Sequence, residues 1–167
     1  ETGHFATLWQ KMAVKLGLET EFLALPGIDE ATGLPNAWRH GVPAALVEER
    51  LRKDSAHRIQ AVCVVHNETS TGVTSDIVAV RRAIDAARHP ALLIVDSISG
   101  LASADFRHDE WGIDVTVSGS QKGWMVPPGL AFVYMSERAW AANAEAKMPR
   151  FYFDAAKTRD SLAKLQT

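Results

Sequence analysis

Two short, nearly unbroken apolar runs, Ile59–Val65 and Ala91–Val95, constrain this chain more than any other feature. Runs this short fall below the length of an ordinary helix, and their continuity marks strands buried on both faces. The first stops at His66-Asn67-Glu68-Thr69-Ser70-Thr71-Gly72 and the second at Asp96-Ser97. Between them, Thr74 or Ser75 is expected to cap a helix running to about Arg88, with Ile77, Val80, Ile84 and Ala87 facing inward. Gly112–Val117 reads as a third strand and Ala131–Met135 as a fourth. Strands alternating with helices predict an α/β domain with a largely parallel sheet. Right-handed crossovers put the strand carboxyl ends on one edge, where open α/β sheets bind ligands. The loops after Val65, Val95 and Val117 should therefore converge.

The flanking segments complete the pattern. Ala6–Leu16 has helical spacing, with Leu8, Trp9, Met12, Ala13 and Leu16 on one face and Gly17 as its stop. Thr20–Leu25 reads as a short strand ended by Pro26-Gly27, and Gly33, Pro35, Gly41 and Pro43 mark a loop. Ala44–Lys53 is predicted helical, with Ala45, Leu46 and Leu51 apolar. After the fourth strand, Ser136 caps a helix from Glu137 to about Lys147, and Asp154–Leu165 is expected to form another.

Composition excludes several classes. A formal net charge of −2 over 167 residues gives no electrostatic reason to expect nucleic acid or an anionic membrane. No apolar run approaches the length needed to span a bilayer. Cys63 is the single cysteine, so no internal disulfide can form and a reducing, cytoplasmic location is the expectation. His4, His40, His57, His66, His89 and His108 are dispersed without ligand spacing, so no metal site is expected. Both ends of the chain read as cut from something longer.

The third strand leads into Ser118-Gly119-Ser120-Gln121-Lys122-Gly123, followed by Pro127-Pro128-Gly129. Small and hydroxylic residues before Lys122 let donors crowd close to a ligand, and the prolines after it limit where the lysine points. A lysine held this way suits Schiff-base chemistry; a solvated loop lysine is the plainer alternative. Asp96 is either a turn or capping aspartate or a partly desolvated carboxylate facing a cation. Thr69, Ser70 and Thr71 form either a polar loop or donors to a phenolic or phosphate oxygen. Phe5 belongs to the core or stacks on a flat heteroaromatic ring. Cys63, inside an apolar strand, reads as filler rather than nucleophile.

SGSQKGWMVPPGL, with VDSISG and HNETSTGV upstream, resembles the class V, fold-type I pyridoxal-phosphate aminotransferases, with the serine–glyoxylate and alanine–glyoxylate enzymes as the nearest likeness. GHFATLWQKMA and DEWGIDV extend the resemblance along nearly the whole chain. It implies a three-layer α/β/α large domain over residues 1–150 and, in 151–167, the start of a connection to a small C-terminal domain. It implies pyridoxal 5'-phosphate as cofactor and transfer of an amino group from serine or alanine to glyoxylate by a homodimer. Lys122 would hold the cofactor as an internal aldimine, and Asp96 would pair with the pyridine nitrogen. Thr69 would bond the ring hydroxyl, Gln121 would reach the phosphate, and Phe5 would take the place of the ring-stacking aromatic, where the family often has tryptophan.

The family's chains are longer. The glycine-rich phosphate loop before Gly3 and the substrate-clamping arginine of the small domain are absent from the sequence, so activity of the 167 residues alone is doubtful. Two other readings stand beside the aminotransferase. One is a different reaction on the same fold, such as a desulfurase or a lyase, although a desulfurase needs a mobile cysteine. The other is a non-catalytic fragment.

Overall fold

The computed structural model describes residues 2–23 and 40–165. In chain order it contains α1 (His4–Lys15), α2 (Ala44–Lys53), β1 (Ala61–Val65), β2 (Asn67–Glu68), β3 (Val73–Thr74) and α3 (Ile77–Ala86). There follow β4 (Leu92–Asp96), β5 (Val115–Gly119), β6 (Ala131–Met135), α4 (Glu137–Glu145) and α5 (Ala155–Ala163). The main sheet has the order β1-β4-β5-β6. β1, β4 and β5 run parallel and β6 runs antiparallel to β5, so the fold is α/β with a mainly parallel sheet.

Periodicity explains which side of the sheet is covered. The pleat puts Val64, Val95 and Thr116 in one row, since Val64 registers with Val95 and Val95 with Thr116. Val64, Leu93 and Val95 on this face pack against Ile77, Val80, Ala83 and Ile84 of α3 and against Val47 and Leu51 of α2. Spacing of three and four residues places the α3 side chains on one stripe, and Val80, Ile84, Leu93 and Val95 are fully buried. Burying each such side chain contributes about 1.5–3 kcal/mol. On the opposite face, Cys63, Ile94, Val115 and Val117 are only partly covered or exposed.

Three expectations from the sequence are corrected. Residues 20–23 of the expected Thr20–Leu25 strand form no strand; Leu25, Pro26, Gly27, Gly33 and Pro35 lie outside the described residues. The α3 cap is Asp76, whose carboxylate accepts from Ala79 N–H, and not Thr74 or Ser75. Thr74 is consumed by β3, and Ser75 Oγ instead accepts from Val42 N–H at 3.2 Å. The third strand starts at Val115 because Gly112, at φ 63°, closes a turn with its N–H on the Asp109 carbonyl. Of the α1 stripe, Leu8, Met12 and Leu16 are exposed among the described residues.

Candidate active site

The carboxyl ends of β1, β4 and β5 carry the three segments singled out in the sequence. Parallel pairing puts Val65 beside Asp96 and Asp96 beside Val117, so the segments leave the sheet side by side. Cross-links then bind the loops to one another. His66 N–H donates to the Asp96 carbonyl at 2.8 Å, and Ser97 donates to the Val117 carbonyl through both its N–H and its hydroxyl at 2.9 Å. Asn67 Nδ2 donates to Ser99 Oγ at 3.1 Å, and Ser99 Oγ donates back to the Asn67 carbonyl at 2.6 Å.

Asp96 is the last residue of β4, half-buried, with Oδ1 accepting from Ile98 N–H at 2.9 Å. Burial holds its carboxyl above the ordinary range and the Glu68 carboxylate adds to this, against the pull of the Ile98 N–H. A cation seated against Asp96 would reverse that balance and keep it ionised. Lys122 stands in the turn after β5, exposed, with its carbonyl accepting from Met125 N–H at 2.9 Å. Gln121 is exposed beside it. Thr69 is exposed at the tip of the β2–β3 hairpin, which alternation alone did not predict. Phe5 lies in the first turn of α1, 42% exposed, its ring edge-on to His4.

Gly123 shows how closely the lysine turn approaches the loop after β4. A Cβ at this position would press on the Leu101 carbonyl oxygen, Ser103 Oγ and the Ala102 backbone. Ala102 itself sits at φ +65°, a conformation unfavourable for a residue with a side chain. Gly123→Ala should therefore push the two loops apart and misplace Lys122. Activity of the full-length protein should fall roughly 10²-fold, the scale of a 1 Å misplacement. Steady-state rates of the variant check this, and wild-type turnover would show that the close approach is dispensable.

Other sequence candidates are accounted for differently. His66 is buried against Phe106 and Trp111, with ring centroids 5.2 and 5.9 Å away, and burial lowers its pKa. It is a packing residue beneath the loop, and Gly100 rests on its ring. Among the described residues, no group of three His, Cys, Asp or Glu side chains is placed to hold a metal ion. Cys63 lies mid-strand in β1 and opens on a cleft shared with Trp9, Ala13 and Leu46. The surrounding protein pushes its thiol up to about 11, so little thiolate forms at neutral pH. Glu68 carries no sequence signal of a role of its own. Nothing local pairs it with α1, whose first-turn N–H groups it accepts from more than sixty positions away.

A half-buried acid, a lysine and a side-chain amide stand at the carboxyl end of the sheet, with a hydroxyl on the hairpin and an aromatic ring on the helix that the hairpin fastens. Together they suit a flat heteroaromatic with an aldehyde, a ring nitrogen that takes a proton, and an anionic arm. Pyridoxal 5'-phosphate has all three.

Comparison with known proteins identifies the family. The family model described as Aminotransferase class-V matches residues 1–153. The chain is 50% identical over 152 residues to the L-aspartate–glyoxylate aminotransferase of Paracoccus denitrificans, covering 91% of this chain and 36% of the relative. It is 45% identical over 163 residues to the serine–glyoxylate aminotransferase of Hyphomicrobium methylovorum, covering 95% and 38%. The crystal structure of ureidoglycine–glyoxylate aminotransferase from Bacillus subtilis superposes with a TM-score of 0.79 at 26% identity, covering 96% of this chain and 38% of that one. The chain thus spans well under half the length of the curated relatives it matches. With an α/β sheet of matching architecture and a family match over nearly its whole length, this chain belongs to the class-V aminotransferases.

Proposed function

We propose that the protein carrying this chain is a pyridoxal-phosphate-dependent aminotransferase that uses glyoxylate as amino acceptor. The observation that carries this reading is the meeting of four separate segments at one sheet edge: Asp96 ending β4, the Lys122 turn after β5, Thr69 on the hairpin and Phe5 on α1. Serine and alanine are the donors implied by the sequence motifs, and the aspartate–glyoxylate relative adds aspartate. Residues 1–150 would form the cofactor-binding core and 151–167 would lead away from it. Exposed apolar side chains on β6 and at Phe151–Phe153 suit burial against further protein, in keeping with a homodimer. Among the described residues no helix is long and apolar enough to cross a membrane, and a single cysteine suits the cytoplasm.

When bound, pyridoxal phosphate supplies the electron sink for the electron pair at the substrate Cα. The Lys122 amine would fix it covalently and, once displaced by the substrate amine, would take the proton from the donor's Cα and deliver it to the cofactor's C4′ carbon. In the second half-reaction Lys122 would return a proton to the Cα of the new amino acid. Asp96 would stay ionised beside the ring nitrogen and keep it protonated. The Thr69 hydroxyl would donate to the ring oxygen, the Gln121 amide would contact the phosphate, and Phe5 would lie on the ring face, together limiting its rotation. Cys63 is fixed in a strand with a raised pKa and does not supply the mobile nucleophile that a cysteine-based desulfurase needs.

The test is covalent trapping. The full-length protein is saturated with pyridoxal phosphate, reduced with borohydride and digested. The reduced adduct should appear on the Lys122 peptide by mass spectrometry, and a protein left unlabelled, or labelled elsewhere, would overturn the assignment.

A further inference from the structure

Glu68 is a fully buried carboxylate whose partners are all neutral donors among the described residues. Oε1 accepts from Phe5 N–H at 3.3 Å, Ser70 N–H at 3.1 Å and Ser70 Oγ at 2.7 Å, while Oε2 accepts from Ala6 N–H at 3.1 Å. Burying a carboxylate without a cation is costly unless hydrogen bonds and local dipoles hold the charge. The first turn of α1 provides both, because its N–H groups lack partners within the helix and its dipole is positive there.

The helix in turn has no cap of its own. Gly3, at its N-cap position, has no side chain to offer, and His4 N–H donates instead to Ser70 Oγ at 2.9 Å. A Cβ on Gly3 would come within 2.5 Å of Ser70 Oγ and 2.6 Å of Glu68 Cγ, so only glycine allows this approach. Thr71 Oγ1 donates to the Thr2 carbonyl at 3.1 Å and closes the other side. The start of α1 is therefore capped by the β2–β3 hairpin tip, more than sixty residues away in sequence.

We propose that Glu68 is a positioning residue: a single carboxylate fastens the turn bearing Phe5 to the turn bearing Thr69, and so sets the spacing between the stacking ring and the hydroxyl donor. This inference rests on the cofactor assignment above and adds to it the residue that makes its two sides one unit. Glu68 also adds a second negative charge near Asp96, which a bound pyridinium would offset.

The test compares Glu68→Gln and Ser70→Ala with wild type in the full-length protein, using the apparent Kd for pyridoxal phosphate and the visible circular dichroism per bound cofactor. Glutamine preserves size but sets N–H against N–H at α1. Its Kd should rise about 10-fold, its dichroism should weaken, and kcat should fall more than KM changes. Ser70→Ala, which leaves the carboxylate in place, should shift the same readouts in the same direction by a smaller factor, and it decides the matter if Glu68→Gln does not fold. Wild-type Kd and dichroism in a folded variant, even with a lowered melting temperature, would reduce Glu68 to a structural cap and overturn the inference. Failure of the wild type itself to hold cofactor at Lys122 would instead overturn the proposed function and leave the capping geometry unchanged.

Discussion

Lys122→Ala should abolish covalent cofactor capture and lower transamination by the full-length protein about 10⁴-fold, the upper end of what a positioned general base contributes. The proposed function asks two things of the lysine: a nucleophilic amine for attachment, and a base for the proton at Cα. Alanine removes both, whereas removing a positioning contact costs only part of one. Lys122→Arg separates charge from nucleophilicity. Guanidinium stays protonated and cannot act as an amine nucleophile, so the arginine variant should be nearly as impaired although the positive charge is kept. Borohydride trapping and single-turnover assays with an amino donor check both variants. Substantial turnover by Lys122→Ala would remove the lysine from the mechanism.

Asp114→Ala should cause the largest loss of stability, about 3–5 kcal/mol, the scale for removing one side of a buried ion pair. Asp114 is 1% exposed, just before β5 at the sheet edge opposite the lysine turn. Its Oδ2 accepts from Leu93 N–H at 2.9 Å and lies 3.3 Å from Arg138 Nη1, with Arg81 Nη1 at 3.6 Å. Its Oδ1 accepts from Ser136 Oγ at 3.0 Å, which also caps α4. Alanine would leave the mostly buried Arg81 without this counter-charge and Leu93 N–H without its acceptor. The measurement is the denaturant midpoint at constant slope. Asp114→Asn, which keeps the shape and part of the bonding, should lose less. An unchanged midpoint for alanine would mean that these contacts contribute nothing net.

Much of the architecture was legible because it depends on short-range patterns. Ala44–Lys53 and Ala131–Met135 match their elements residue for residue, since helical spacing and a bounded β-branched and aromatic run are local signals. The positions of Asp96 and Lys122 followed from counting past the ends of apolar strands. Less legible were features set by competition for hydrogen bonds. Thr74 and Ser75 are both good caps, yet the hairpin uses one backbone and Val42 the other hydroxyl, so Asp76 takes the role. α1 begins at His4 and not at Ala6 because its first N–H groups find acceptors on Glu68 and Ser70.

By itself the sequence determined the alternation of strands and helices and the edge on which the polar loops would gather. Burial and periodicity are encoded within a dozen residues, and those statements need nothing more. Only the tertiary structure decided that the hairpin tip caps a helix from the start of the chain, and that Gly123 must be small because another loop's backbone lies against it. These contacts join residues tens of positions apart, and their strength comes from desolvated groups that acquire partners only when the sheet has brought the segments together.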